Sequence, residues 1–150
     1  MADTFANLLI HVVFSTKHRE PLLAEPVRER LYDYLGGILR QKGCILVEIG
    51  GIPDHVHLLI HLKTDCSVAE MVREIKGSSS KWIHQTFPEL AGFLWQAGYG
   101  VFSVSESQRS VVRRYIQNQA VHHATLSFRD ELIVLLRKHG IDFEERYVLD

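Results

Sequence analysis

Pro53-Asp54-His55-Val56-His57-Leu58-Leu59-Ile60 is the stretch on which the reading of this chain turns. An apolar run broken by alternating histidines reads as a strand. Strand side chains alternate faces, so His55 and His57 project together while Val56, Leu58 and Ile60 project to the other side. Two imidazoles on one face can grip one metal ion. Taken alone, the pair has a plainer reading as two hydrogen-bonded histidines on a half-exposed sheet face. His61 shares their face in a regular strand but lies too far along it to ligate the same ion.

Upstream, the periodicity predicts a strand over residues 7–16 and a helix over 26–41, where Pro26 suits a first helical turn. A strand over 44–49 follows, then a hairpin turn at Gly50-Gly51 leading into the histidine strand, which runs to residue 62. Downstream come a helix over 67–87, disturbed at Gly77, and a strand over 99–104. A helix to about residue 123 and a last amphipathic helix over 128–138 close the chain. The order βαββαβ predicts an α+β fold with an antiparallel sheet of ferredoxin-like or RNA-recognition-like type, helices on one face and extra C-terminal helices. The chain has 150 residues, 46% of them hydrophobic. That makes one ordinary domain over residues 1–150, able to bury a real core.

The helix after the last strand carries a second constellation. Val111-Val112-Arg113-Arg114-Tyr115-Ile116-Gln117-Asn118-Gln119-Ala120 lacks Gly and Pro and follows Ser105-Glu106-Ser107-Gln108, which reads as a capping box. Positions four apart share a helix face, so Tyr115 and Gln119 stack one turn apart and can address one point in space. A lone tyrosine on an amphipathic helix is otherwise a packing residue.

The apolar runs are too short to span a bilayer, and Met1-Ala2-Asp3-Thr4 lacks the basic start of a signal peptide. A cytoplasmic protein with no membrane partner is expected. Cys44 and Cys66 have no metal or redox spacing and are expected to be reduced thiols. The formal charge of −1 gives no global attraction to phosphate, although without the acidic stretch from Gly140 onward the remaining chain carries 16 basic and 14 acidic residues. Local clusters would therefore have to bind nucleic acid. The candidates are Lys17 and Arg19 at the end of the first strand, Arg73, Lys76 and Lys81 around Gly77-Ser78-Ser79-Ser80, and Arg113 and Arg114 beside the tyrosine. Trp82, Phe87, Trp95 and Tyr99 are either core residues or stacking platforms for unpaired bases.

Taken together, the chain resembles the single-tyrosine HUH transposases of small bacterial and archaeal insertion sequences. The resemblance runs in order through Ile10-His11-Val12-Val13-Phe14-Ser15-Thr16-Lys17-His18-Arg19, Gly51-Ile52-Pro53-Asp54-His55-Val56-His57 and Ile75-Lys76-Gly77-Ser78-Ser79-Ser80-Lys81. It continues through Leu94-Trp95-Gln96-Ala97-Gly98-Tyr99-Gly100, the Tyr115 to Gln119 helix and the closing Gly140-Ile141-Asp142-Phe143-Glu144-Glu145-Arg146-Tyr147. It implies a homodimer that cuts and rejoins single-stranded DNA bearing hairpin ends. Tyr115 would be the nucleophile, leaving a 5′-phosphotyrosine, with His55, His57 and Gln119 as neutral ligands to Mg²⁺ or Mn²⁺. A domesticated relative acting on repeated extragenic hairpins shares that chemistry. A binding module with incidental histidines and a metal-dependent phosphoesterase that would not need Tyr115 are the readings from other classes.

Overall fold

The computed structural model describes residues 3–149; Met1 and Ala2 of the expected non-signal start, and the terminal acid Asp150, lie outside them. Strand β1 (Leu9–Ser15) leads through a short turn to helix α1 (Val27–Gln41). Strands β2 (Ile45–Ile52) and β3 (His55–His61) form a hairpin, followed by helix α2 (Val68–Thr86) and strand β4 (Gly100–Ser103). Three helices complete the chain: α3 (Arg109–Gln117), α4 (Gln119–His122) and α5 (Phe128–Lys138). The sheet is antiparallel throughout, in the order β2-β3-β1-β4. This is the expected ferredoxin-like arrangement, with β3 and β1 at its centre.

One sheet face carries Ile10, Val12, Phe14, Val56, Leu58 and Ile60, packed against α1 and α2 through Leu31, Leu35, Leu39, Met71 and Ile75. The helical residues recur at three- and four-residue spacing, which places them on one stripe of each helix. Ser67 caps α2 by accepting the Glu70 amide at 3.3 Å, and the helix runs unbroken through Gly77 rather than being disturbed there. The opposite face is covered as well. Val13 and Phe102 meet Phe128, Leu132 and Leu135 of α5, and Leu9 and Leu59 meet Ile116 of α3. The extra C-terminal helices therefore form a second layer over the histidine face. That is why β3 is buried from His55 to Ile60.

Two local expectations are corrected. The hairpin turns at Pro53-Asp54, and Gly50 and Gly51 lie inside β2, paired with His57 and Val56. A Cβ at Gly51 would stand 2.2 Å from the His55 carbonyl oxygen, so the glycine serves close backbone approach rather than reversal. The capping box does not form either. Ser105 bonds the Ser107 hydroxyl at 2.9 Å, residues Glu106–Gln108 make a 3₁₀ turn, and α3 starts without a side-chain cap.

Trp82 stacks on Tyr34 at 4.8 Å, while Phe87 and Trp95 are buried in the core. Of the four aromatics considered for base stacking, only Tyr99 is exposed. Both cysteines are free, Cys44 buried and Cys66 partly so. Among the described residues, no helix is long and apolar enough to cross a membrane.

Candidate active site and cation-binding cluster

The site forms where β3, α3, α4 and α5 meet. His55 and His57 stand on the α5 side of β3 and are fully buried, as strand alternation requires. Gly50, opposite His57 in the ladder, lies beneath α3, where a Cβ would come within 2.3 Å of the Ile116 carbonyl oxygen. With no side chain there, the backbone of α3 approaches the strand closely. The Tyr115 ring is thereby set 5.8 Å from that of His57.

At the centre lies Glu131, in the first turn of α5, a helix whose N-terminus favours negative charge. It is 1% exposed. Its Oε1 meets Nε2 of His57 at 2.9 Å, of His123 at 3.0 Å and of His55 at 3.4 Å. Its Oε2 accepts from the Tyr115 hydroxyl and from the Gln119 amide, the latter at 3.2 Å. Burial alone would make this carboxyl harder to ionise, but the three histidines hold it far below the usual carboxylate range.

The imidazoles respond differently to one environment. Burial lowers His57 to about 4 despite its bond to Glu131. Burial, reinforced by His57, lowers His11 to about 3. Burial opposes charge on His55 too, yet its bonds to Asp54 (2.6 Å), Glu131 and Gln119 (2.8 Å) together raise it to about 9. Burial and the adjacent carboxylate push the Tyr115 phenol well above its ordinary value, so the hydroxyl is neutral and donates.

The four central residues expected from sequence, His55, His57, Tyr115 and Gln119, thus come together on Glu131. One detail differs. The helix breaks at Asn118 (φ −101°, ψ 26°), so Tyr115 and Gln119 sit on separate helices and converge from either side of the break. Sequence reasoning missed Glu131, His123 and His11. For Glu131 a signal existed, since it stands between Phe128, Leu132 and Leu135 on the apolar stripe of α5. His61 lies outside the cluster and accepts from Arg109 at 3.2 Å.

The basic candidates disperse. Arg19 lines a cavity of about 470 Å³ with Asp54, His123 and Phe128, at the edge of the site. Its Nη1 is buried without a hydrogen-bond partner among the described residues. Lys17 is exposed nearby in the same turn. Arg73, Lys76 and Lys81 belong to α2, on the other side of the sheet from the histidines. Lys76 donates to the carbonyls of Gln96 (2.8 Å) and Gly98 (2.6 Å), and burial lowers its pKa to about 8. On α3, Arg113 pairs with Glu48 at 2.9 Å and Arg114 is exposed.

The donor set suits a divalent cation. One ligand atom each from His55, His57, His123 and Glu131 lies within 4.8 Å of the others, and Gln119 Oε1 is 2.8 Å from His55 Nε2. Imidazole nitrogens and carboxylate or amide oxygens are the ligands such ions take.

Comparison with known proteins agrees with this architecture. Residues 4–119 match the family model described as "Transposase IS200 like". The ISDra2 transposase TnpA of Deinococcus radiodurans is 31% identical over 118 residues, covering 75% of this chain and 84% of that protein. The transposase of insertion sequence element IS200 from Salmonella typhimurium is 26% identical over 124 residues, covering 79% and 81%. A crystal structure from D. radiodurans R1 superposes with TM-score 0.66 at 33% identity, over 79% of this chain and 95% of that one. A REP-associated tyrosine transposase solved on a REP hairpin superposes with TM-score 0.63 at 17% identity, over 84% and 76%, and shares the fold. With its family model spanning most of its length, this chain belongs to the IS200-like transposase family, enzymes that cut and rejoin DNA.

Proposed function

We propose that this transposase acts on single-stranded DNA with hairpin ends through a 5′-phosphotyrosine on Tyr115, assisted by Mg²⁺ or Mn²⁺ held by His55, His57 and Gln119. One observation carries the reading: the Tyr115 hydroxyl and His57 Nε2 meet at the two oxygens of one buried carboxylate, so nucleophile and ligand pair share a site within a single subunit. The fold shared with a relative solved on a REP hairpin supports a hairpin substrate.

Tyr115 Oη attacks phosphorus, an O–P bond forms, and the bond to the 3′ oxygen breaks. The phenol, oriented by its hydrogen bond to Glu131 Oε2, gives up its proton to solvent, and the departing 3′ oxygen takes one up from solvent. A bound cation would polarise the phosphate and offset the charge of the five-coordinate transition state. Because the tyrosyl ester conserves the energy of the broken bond, a later 3′-hydroxyl can reverse the attack and rejoin strands without ATP. The working unit is a homodimer, for which exposed Val111, Val121 and Val134 leave apolar surface on the helices over the site. Its place of action is the cytoplasm, on the cell's DNA.

The test is a denaturing gel for covalent protein–DNA adducts, using labelled single strands from the borders of the gene's genomic locus, with Mn²⁺ or EDTA. A metal-dependent adduct that disappears in Tyr115→Phe is the expected result. Cleavage persisting in that variant would replace this reading with a hydrolase, and hairpin binding without cleavage would replace it with a DNA-binding relative.

A further inference from the structure

The three histidines around Glu131 are arranged alike. Each turns Nε2 toward Oε1 of the carboxylate, and each has Nδ1 held from behind: His55 by Asp54, His57 by His11 at 2.7 Å, and His123 by the Leu126 carbonyl. This is how metal-ligating imidazoles are oriented, with the outer nitrogen fixed by a second partner. The Leu126 carbonyl can only accept, so it takes the Nδ1–H of His123 and leaves Nε2 facing the Glu131 carboxylate at 3.0 Å and Gln119 Oε1 at 3.1 Å.

We propose that Glu131 and His123 are ligands of the divalent cation alongside His55 and His57, an inference that rests on the metal role assigned above to the histidine pair. Glu131 brings a full negative charge, which Gln119 does not. It also comes from α5, beyond the residues 4–119 that match the family model. Three nitrogens beside one carboxylate select Mn²⁺ over Mg²⁺, which keeps to oxygen ligands. With Oε1 on the cation side, Oε2 stays on the Tyr115 hydroxyl, so the ligand also positions the nucleophile.

The test is Mn²⁺ binding to the full chain, read from loss of the free-ion paramagnetic resonance signal, for wild type, His57→Ala, Glu131→Gln and His123→Gln. Melting curves in EDTA establish that each variant is folded. The expected result is that Glu131→Gln and His57→Ala each weaken Mn²⁺ binding by about tenfold or more. His123→Gln should weaken it in the same direction, and Mg²⁺ should compete only at concentrations about tenfold higher or more. Should Glu131→Gln fail to fold, His123→Gln decides. If Glu131→Gln and His123→Gln bind as wild type while His57→Ala does not, the inference is overturned and the metal role of the histidine pair stands. Tighter binding by Glu131→Gln also overturns it, since Glu131 would then compete with the cation. Failure of wild type to bind, or binding unaffected by His57→Ala, overturns the underlying metal reading itself.

Discussion

Tyr115 and Glu131 are joined by a hydrogen bond from phenol to carboxylate that ties α3 to α5. The bond holds the hydroxyl over the histidine pair, but little of the fold depends on it. A phenylalanine would keep the packing against His122, whose ring lies 4.5 Å away, and Glu131 Oε2 would keep the Gln119 amide. Tyr115→Phe is therefore expected to cost about 2 kcal/mol of stability, the worth of one hydrogen bond to a charged group, while abolishing the adduct. Thermal denaturation beside the gel assay separates the two effects. A loss of several kcal/mol would make Tyr115 a structural residue instead.

Gly50→Ala is expected to damage the site from β2. The new methyl would meet the Ile116 carbonyl oxygen at 2.3 Å, and a backbone atom cannot swing aside as a flexible side chain can. Helix α3 must then lift from the sheet, at a cost of about 1–3 kcal/mol. The lift carries Tyr115 away from His57, so adduct yield should fall by more than the stability loss explains. Measuring both in one variant, at a temperature where it is folded, checks this; an alanine variant with wild-type adduct yield would refute it.

How far the site was legible in sequence follows from how local each signal is. Strand alternation placed His55 and His57 on one face without reference to any other element, and the pattern of α5 was periodic enough to bound the helix at Phe128 and Lys138. Gly50-Gly51 misled because a glycine pair reads as a turn by default. What it provides, room for Ile116 on a helix more than sixty residues later, is a tertiary demand invisible locally. The break at Asn118 was likewise hidden in a run without Gly or Pro. Glu131 was legible only as an acid on an apolar stripe, whose partners come from β3, α3 and α4.

The metal-free protein should be most stable near neutrality. His55 is raised to about 9 by partners that outweigh its burial. Folding therefore gains from its proton below the unfolded value of about 6.5, and that gain is lost as pH rises through about 9. His57 and His11, lowered to about 4 and about 3 by burial, act oppositely. Below about 6.5 the unfolded chain takes up protons that the folded one refuses, so stability falls on acidification. Glu131, held below the usual range by its histidines, adds stability above the unfolded carboxylate value that is lost in strong acid. Melting temperatures in EDTA should peak near pH 6–7, with a decline on the order of 2 kcal/mol toward pH 9. A flat profile from pH 6 to 9 would show that His55 is not held charged.

Arg19 and Lys76 should separate under substitution. Arg19 lines the cavity at the edge of the site with Asp54 and His123, and its guanidinium, partly buried at Nη1, is paired with no carboxylate among the described residues, which leaves its charge to serve a phosphate at the mouth of the site. The Lys76 ammonium is engaged with the carbonyls of Gln96 and Gly98 and lies over the Phe14 ring at 5.1 Å, across the sheet. Arg19→Ala is thus expected to weaken single-stranded DNA binding and flatten its salt dependence by about 0.7 in log–log slope, the effect of one lost phosphate contact, with little change in melting temperature. Lys76→Met should do the reverse, lowering stability by about 1–3 kcal/mol as two carbonyls lose their donor, with an unchanged salt slope. Fluorescence anisotropy with a labelled strand across a salt series, paired with melting curves, distinguishes them. An unchanged slope in Arg19→Ala together with a reduced one in Lys76→Met would move the DNA path to the α2 side of the sheet.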